Sequence, residues 1–381
     1  MNPHYVAETG HLLFMRQGAL MAVGFDPDQL VKEGDPVLIE EDVMQSLGMP
    51  NVNFDTGAAQ LAVSSSGHLA YVRGGVFPIQ AGTLMRVTPE GGAEPLDSVS
   101  LANFSFYYMR LSPGGDRLAF VDVQGRRANI YVHDFARDTT QQLITGGYRS
   151  TFLSWSPDGE SIAFSTNRED GVNNIYRMPA DGSGEQPERL APSDQFQSMM
   201  SWSSDGVIAY MQGGDIWMLP PDGEPAPFFT SEVFESHATF SPDGKWLAYT
   251  AGSSRGNEVY IRPYPGPGTA ALISGNGSAA PAWSRDGTQL YFRQGSLILQ
   301  TVVLMVVDIT EGRPSPARLL IDPWPYMNLN PTRSFDVLEE GGFIATTMDG
   351  AQVADASERY RVDEIQVVLN FFEVLRQRVV D

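Results

Sequence analysis

The side chains best suited to recognition chemistry lie in five short segments, each a few residues ahead of a recurring turn. Four of them, Asn103-Phe-Ser-Phe-Tyr-Tyr-Met109, Gly147-Tyr-Arg-Ser150, Gln195-Phe-Gln-Ser-Met-Met200 and Val233-Phe-Glu-Ser-His237, supply Phe106, Tyr107, Tyr108, Arg149, Phe196, Met199, Phe234, Glu235 and His237. Aromatic faces give contact area at low entropic cost, Arg149 and Glu235 can fix a ligand's orientation, and His237 can lend pH sensitivity near neutrality. These positions also break the pattern that the rest of the repeat keeps, which frees them from the packing demand on the others. The competing reading is that the aromatics plug a channel and bind nothing.

Other patterns carry less. Gly252-Ser-Ser-Arg-Gly256 has the spacing of a hydrolase nucleophile elbow, but that elbow needs a strand running into a helix, and strand-forming residues follow at Glu258. Gly275-Asn-Gly-Ser-Ala-Ala280 resembles a dinucleotide loop without the strand–helix context that gives such a loop its function. The five histidines, at 4, 11, 68, 133 and 237, show no metal-ligand spacing, and no cofactor motif is present. Asp158, Asp205, Asp243 and Asp286 each belong to a separate turn, where the carboxylate is expected to bond its own backbone.

The elements that must position these residues repeat along the chain. Aligned on the glycine of the first turn, eight copies appear: Val6 to Gly10, Val63 to Gly67, Leu111 to Gly115, Trp155 to Gly159, Trp202 to Gly206, Phe240 to Gly244, Trp283 to Gly287 and Val337 to Gly341. Successive glycines are 38 to 57 residues apart. Four strands with their connections need about 40 to 50 residues, the period of a propeller blade. A strand of the type Leu118-Ala-Phe-Val121 follows each turn, then a third such as Asn129-Ile-Tyr-Val132, and a second hairpin turn such as Pro221-Asp-Gly223 leads to an outer strand. Paired hairpins at matching places exclude a helical repeat.

The expected fold is therefore all-β, a single closed propeller over 1–381 with eight four-stranded antiparallel blades, or seven if the first copy folds onto a neighbour. The repeats run near 2–40, 58–98, 104–145, 150–191, 198–230, 236–274, 279–322 and 332–370. The long connection from Glu40 to Ala59 reads as a lid or an extra hairpin. Phe371, Phe372, Leu375 and Val379 have helical spacing and predict a short C-terminal cap over 371–381. Trp155, Trp202 and Trp283 share one register and are expected to be buried between blades.

Composition narrows the function classes. With 46 acidic against 25 basic residues the formal charge is -21, which disfavours a nucleic-acid partner. The absence of cysteine excludes disulfides and thiolate chemistry. Leu297 to Val307 is too short and too interrupted to span a bilayer, and nothing in the first residues reads as an export signal.

Trp155-Ser-Pro-Asp-Gly159, Phe240-Ser-Pro-Asp-Gly-Lys-Trp-Leu-Ala-Tyr249 and Val259-Tyr-Ile-Arg-Pro-Tyr-Pro-Gly266 resemble the TolB-like, WD40-like (PD40) β-propellers over nearly the whole chain. Gly10 to Ala22 with Phe25-Asp-Pro27, Ile261-Arg-Pro263 and Val367-Val-Leu-Asn-Phe371 look like the C-terminal sensor propeller of bacterial serine/threonine protein kinases. The resemblance implies a non-catalytic sensor or binding module, extracytoplasmic, that takes a peptide, protein or small ligand at one mouth of its channel. The kinase motifs themselves are absent. A scaffold for partner proteins is the alternative, and a metal-dependent lyase or hydrolase with a composite funnel site is a third class.

Overall fold

The computed structural model describes residues 3–16, 18–46, 58–74, 76–77, 82–96, 104, 106, 108–124, 127–145, 148–184, 186–254, 256–275, 277–295, 302–324, 326, 333–348 and 364–379. The chain falls into two compact units, where one domain was expected: unit 1 holds 1–79, 123–126 and 354–381, and unit 2 holds 80–122 and 127–353.

Unit 2 is built from six antiparallel sheets, each a blade. Blades 1 to 5 are consecutive hairpins whose innermost strands are Met109–Leu111, Ser150–Trp155, Gln197–Trp202, Glu235–Phe240 and Ser278–Trp283. Blade 6 is composite. Its inner strands Phe335–Val337 and Phe343–Met348 come from the last copy, and its outer strands Gly82–Val87 and Ala93–Pro95 come from the second. Arg86 and Glu340 form an ion pair across that join.

The six innermost strands touch one another in order, and Phe335–Val337 touches both Ser278–Trp283 and Met109–Leu111. That closes a ring within unit 2. Apolar clusters fill the gaps between neighbouring blades, for example Ala209, Ile216 and Met218 of blade 3 against Phe240, Leu247 and Tyr249 of blade 4. The small residue of each second strand is where packing is tightest: Ala119, Ala163, Ala209 and Ala248 are wholly buried.

The recurring turn works as its sequence suggests. Ser156, Ser203, Ser241 and Ser284 donate their hydroxyls to Asp158, Asp205, Asp243 and Asp286 at 2.5 to 2.6 Å. Gly159 and Gly244 then take φ of 70° and 69°, a left-handed conformation that a side chain would strain. Trp155 and Trp283 are buried, and their indole N–H groups donate to the carbonyls of Arg110 and Thr239 on the preceding blade, at 2.8 and 3.1 Å. Trp202 is only half-buried and donates to Gly206 in its own turn.

Unit 1 contains a four-stranded sheet, His4–Val6, His11–Arg16, Ala19–Asp26 and Val31–Glu40. Its second sheet again joins distant segments, Leu61–Val63 and Leu69–Tyr71 with Gln366–Val368. Two residues of the long connection, Gln45–Ser46, pair in parallel with Val76–Phe77, and 47–57 lie outside the described residues. The expected helix forms over Phe371–Arg378 and buries Phe371 and Leu375 against Val6, Leu13, Ile39 and Leu69.

Among the described residues, eight sheets of three or more strands thus stand against the eight sequence copies. The ring of touching inner strands uses six of them, and the repeats 58–98 and 332–370 do not each make a sheet of their own. The physical reason is that a ring closes most firmly when its last blade is hydrogen-bonded from both ends of the chain, and strand pairing has no local sequence signal to reveal it.

Candidate functional site

Four of the six innermost strands of unit 2 share one irregularity. Their register with the second strand slips between Thr151 and Ser154, Met199 and Ser201, Ser236 and Thr239, and Ala279 and Ala282. At the slip Phe152, His237 and Ala280 have φ of 53°, 55° and 59°. A bulge of this kind bends the strand and re-aims one side chain. Counting back three residues from the aromatic or aliphatic residue before each turn, the equivalent positions are Tyr108, Phe152, Met199, His237, Ala280 and Ser334.

Tyr108 and Phe152 pack with ring centroids 4.9 Å apart, and Phe152 meets Phe196 edge-on at 6.4 Å. Tyr108 is buried, Phe152 half-buried and Phe196 37% exposed, so the three form one aromatic run from the interior to the surface. The surface end broadens over the entries to blades 2, 3 and 4, where Tyr148, Phe196, Val233 and Phe234 are all exposed, Phe234 by 58%. The Arg168 guanidinium lies over the Tyr148 ring at 5.7 Å.

Where blades 5, 6 and 1 meet, arginine side chains bridge them. Arg110 of blade 1 donates from Nη1 to the Met109 carbonyl at 2.5 Å and to the Arg333 carbonyl at 3.1 Å. Arg333 reaches the Asp336 carboxylate from Nη2 at 3.2 Å and the Pro281 carbonyl from Nη1 at 3.5 Å. Asp336 also accepts from the Leu111 backbone at 2.8 Å. Arg285 spans three blades, its Nε donating to the Val337 carbonyl at 3.1 Å and Nη2 to the Ser112 carbonyl at 3.4 Å. Arg293, on the second strand of blade 5, is buried.

The electrostatics follow from that crowding. Burial, then repulsion from Arg293, Arg110 and Arg333, pushes His237 down to about 3, so its ring is neutral near pH 7, with Nδ1 2.8 Å from the Ser236 hydroxyl. Burial and the neighbouring Arg333 push Arg110 down to about 9, and burial alone pushes Arg293 to about 10; both stay charged at neutral pH. Burial would raise Asp336, but Arg333, Arg285 and Arg110 outweigh it and hold the carboxyl below its usual range. Arg110 and His237 are both half-buried.

The structure distributes the nine residues singled out in the sequence among different roles. Tyr108 is buried against Phe152, His237 is half-buried beside Ser236, and Phe196 and Phe234 are exposed ahead of blades 3 and 4. Phe106 is wholly buried among Leu84, Met109, Phe120 and Ile344, and Met199 is buried with Ile175, Ile208 and Tyr210; both are core. Arg149 is buried beside Asn167, which accepts from its backbone N–H at 3.0 Å. Glu235 is buried with its backbone N–H on Gly214, and burial followed by the nearby Asp215 raises its carboxyl. Tyr107 lies outside the described residues.

Sequence reasoning passed over the arginines. Their signal was present: at the register before each turn the blades carry Ser154, Ser201, Thr239 and Ala282, but Arg110 and Asp336 in blades 1 and 6. Arg285 takes the slot that holds Pro113, Pro157 and Pro242 elsewhere. The elbow-like motif is a hairpin, with Ser253 paired to Gly256 and its hydroxyl donating to that residue's carbonyl at 2.8 Å. No group of metal-ligating side chains occurs among the described residues.

Residues 97–284 match the family model described as TolB beta propeller domain. Over that stretch, just under half of the chain, the repeat is similar to that of TolB-like β-propellers. Among solved structures, a protein assigned as TolB in Agrobacterium tumefaciens aligns with a TM-score of 0.56 and 17% identity, over 70% of this chain and 98% of that one. TolB of Acinetobacter baumannii aligns at 0.48, with 17% identity over 80% of each chain. Among curated proteins, the uncharacterized peptidase YuxL of Bacillus subtilis (strain 168) is 28% identical over 163 residues, 40% of this chain but 23% of that protein's length. The propeller is thus established as the fold, and no helix among the described residues is long and apolar enough to cross a membrane.

Proposed function

We propose that this chain is a binding propeller whose ligand, a peptide, protein segment or small molecule, docks on the mouth formed by blades 2 to 4 of unit 2 and reaches toward the channel. The observation that carries the reading is the aromatic run Tyr108–Phe152–Phe196, continuous from the buried wall to an exposed apolar rim. Isolated exposed apolar residues need no explanation, but four across adjacent blade entries, ending in a ring-to-ring path inward, are the composition of a recognition surface. By its resemblance to kinase sensor propellers the module would work outside the cytoplasm and report ligand occupancy.

A catalytic reading is suggested by the peptidase name of one relative, yet the matched stretch is a fraction of that protein, and the one elbow-like serine here sits in a β-hairpin. The test is a thermal-shift screen of the intact chain against peptides and metabolites, repeated with Phe196→Ala/Phe234→Ala. A hit whose affinity drops tenfold or more in the double variant, at unchanged melting temperature, supports the mouth as the site. Undiminished affinity in a folded double variant would overturn it.

A further inference from the structure

We propose that the open edge of the three-stranded sheet in unit 1 pairs with the same edge of a second copy of this chain, antiparallel and centred on Val367. The inference is independent of the binding reading above, which concerns unit 2 alone. It starts from strand order. Gln366–Val368 is an outermost strand of that sheet, paired on one side with Leu69–Tyr71, and among the described residues no strand pairs with its other side. In blade 4 of unit 2 the third strand, Gly256–Pro263, is followed by an outer strand at Ala271–Leu272 that covers its edge. Here Asn370, at φ of 55°, turns the chain into the helix Phe371–Arg378 instead. The backbone groups on the outer side of Gln366–Val368 are thus left for another strand.

The side chains along this edge are apolar and uncovered. Ile365, Val367 and Leu369, each two residues from the next, are exposed by 63%, 58% and 66%. Val368, between the last two, packs instead on the core cluster that holds Leu69, Phe371 and Leu375, so the stripe is separate from that core. The other long outer strand of unit 1, Val31–Glu40, shows how an edge is kept from pairing, because it carries Lys32, Glu33, Asp35 and Pro36. From Ile365 to Leu369 there is neither a charge nor a proline.

The order of residues along the edge fits a second copy. In an antiparallel pair about a two-fold axis at Val367, that residue faces its own equivalent, Ile365 faces Leu369, Gln366 faces Val368 and Glu364 faces Asn370. Apolar side chains then meet apolar side chains along the exposed stripe, and no like charges are opposed. Two three-stranded sheets become one of six strands. The formal charge of -21 repels a second copy at long range, but in about 0.15 M salt that repulsion is screened beyond about 8 Å.

The experiment is sedimentation equilibrium of the intact chain in about 0.15 M salt, from about 5 to 500 µM, for wild type, Val367→Lys, Val367→Glu and an equimolar mixture of the two variants. Wild type is expected to pass from monomer to dimer across that range. Either charged variant alone sets like charges face to face at the axis and should dimerise at least tenfold more weakly. The mixture sets Lys against Glu and should recover most of the loss, which a merely structural role for Val367 would not produce. Ile365→Gln/Leu369→Gln adds no charge, should also weaken the dimer tenfold or more, and serves if a charged variant fails to fold by circular dichroism. A wild type that stays monomeric throughout, its edge serving a different protein or none, would overturn the proposal. So would a dimer unchanged in the folded variants, or charged variants that show no recovery on mixing.

Discussion

Single side chains make the sharpest expectations. His237 has a folded-state value near 3 against about 6.5 when unfolded, so as pH falls below 6.5 the unfolded chain takes up a proton that the folded chain refuses. Stability is therefore lost on the acid side. His237→Gln should flatten that loss, by about 2 kcal/mol at pH 5 relative to pH 7, measured as urea unfolding at the two pH values. A parallel shift of both curves would remove His237 from the account. The tryptophans divide by what they touch. Trp155→Ala and Trp283→Ala each remove a buried ring and an inter-blade hydrogen bond and should cost roughly 3 to 5 kcal/mol, whereas half-buried Trp202 should cost less than either. Chemical denaturation of the three variants decides it. Glu235 has a raised carboxyl, so its ionised form opposes folding at neutral pH; Glu235→Gln should raise the melting temperature at pH 7 and lose that advantage as the solution is acidified.

At the level of strands and turns, much was legible in the sequence because the signals are local. Ser156-Pro-Asp-Gly159 states its own hydrogen bonds, and the alternation of Leu118, Ala119 and Phe120 states a strand pressed on both faces. The helix over Phe371–Arg378 was equally readable from its spacing, and it packs where Gly67 leaves room: a Cβ there would meet the Phe372 ring at 2.8 Å. Gly67→Ala also has to hold φ of 80°, so it should destabilise unit 1 by about 1 to 3 kcal/mol, seen as earlier amide exchange in Leu69–Tyr71 and the helix. What could not be read is pairing over distance. Gly82–Val87 looks like any third strand, and only the folded chain shows its partner to be Phe343–Met348. The same limit explains the site. Phe106 and Met199 broke the repeat and seemed free to bind, but they fill gaps between blades, while Arg110, Arg285 and Asp336 broke it too and acquire meaning only when blades 5, 6 and 1 meet.

For the molecule as a whole, closure is the organising event. Blade 6 needs strands from both ends of unit 2, so a chain beginning at residue 97 lacks Gly82–Val87 and Ala93–Pro95 and should lose the cooperative unfolding transition of that unit. Retention of a sharp transition would mean that blade 6 is an accessory to the ring. On the proposed reading the closed ring is also what turns scattered positions into one site, with Tyr148, Phe196 and Phe234 at one mouth. The most direct measurement of that claim is amide hydrogen exchange on the intact chain, with and without a saturating ligand from the screen. Slowed exchange confined to 148–154, 196–201 and 233–239 is the predicted result. Slowing confined to outer strands such as Thr139–Gln142 or Ala271–Leu272, with those segments unchanged, would contradict it.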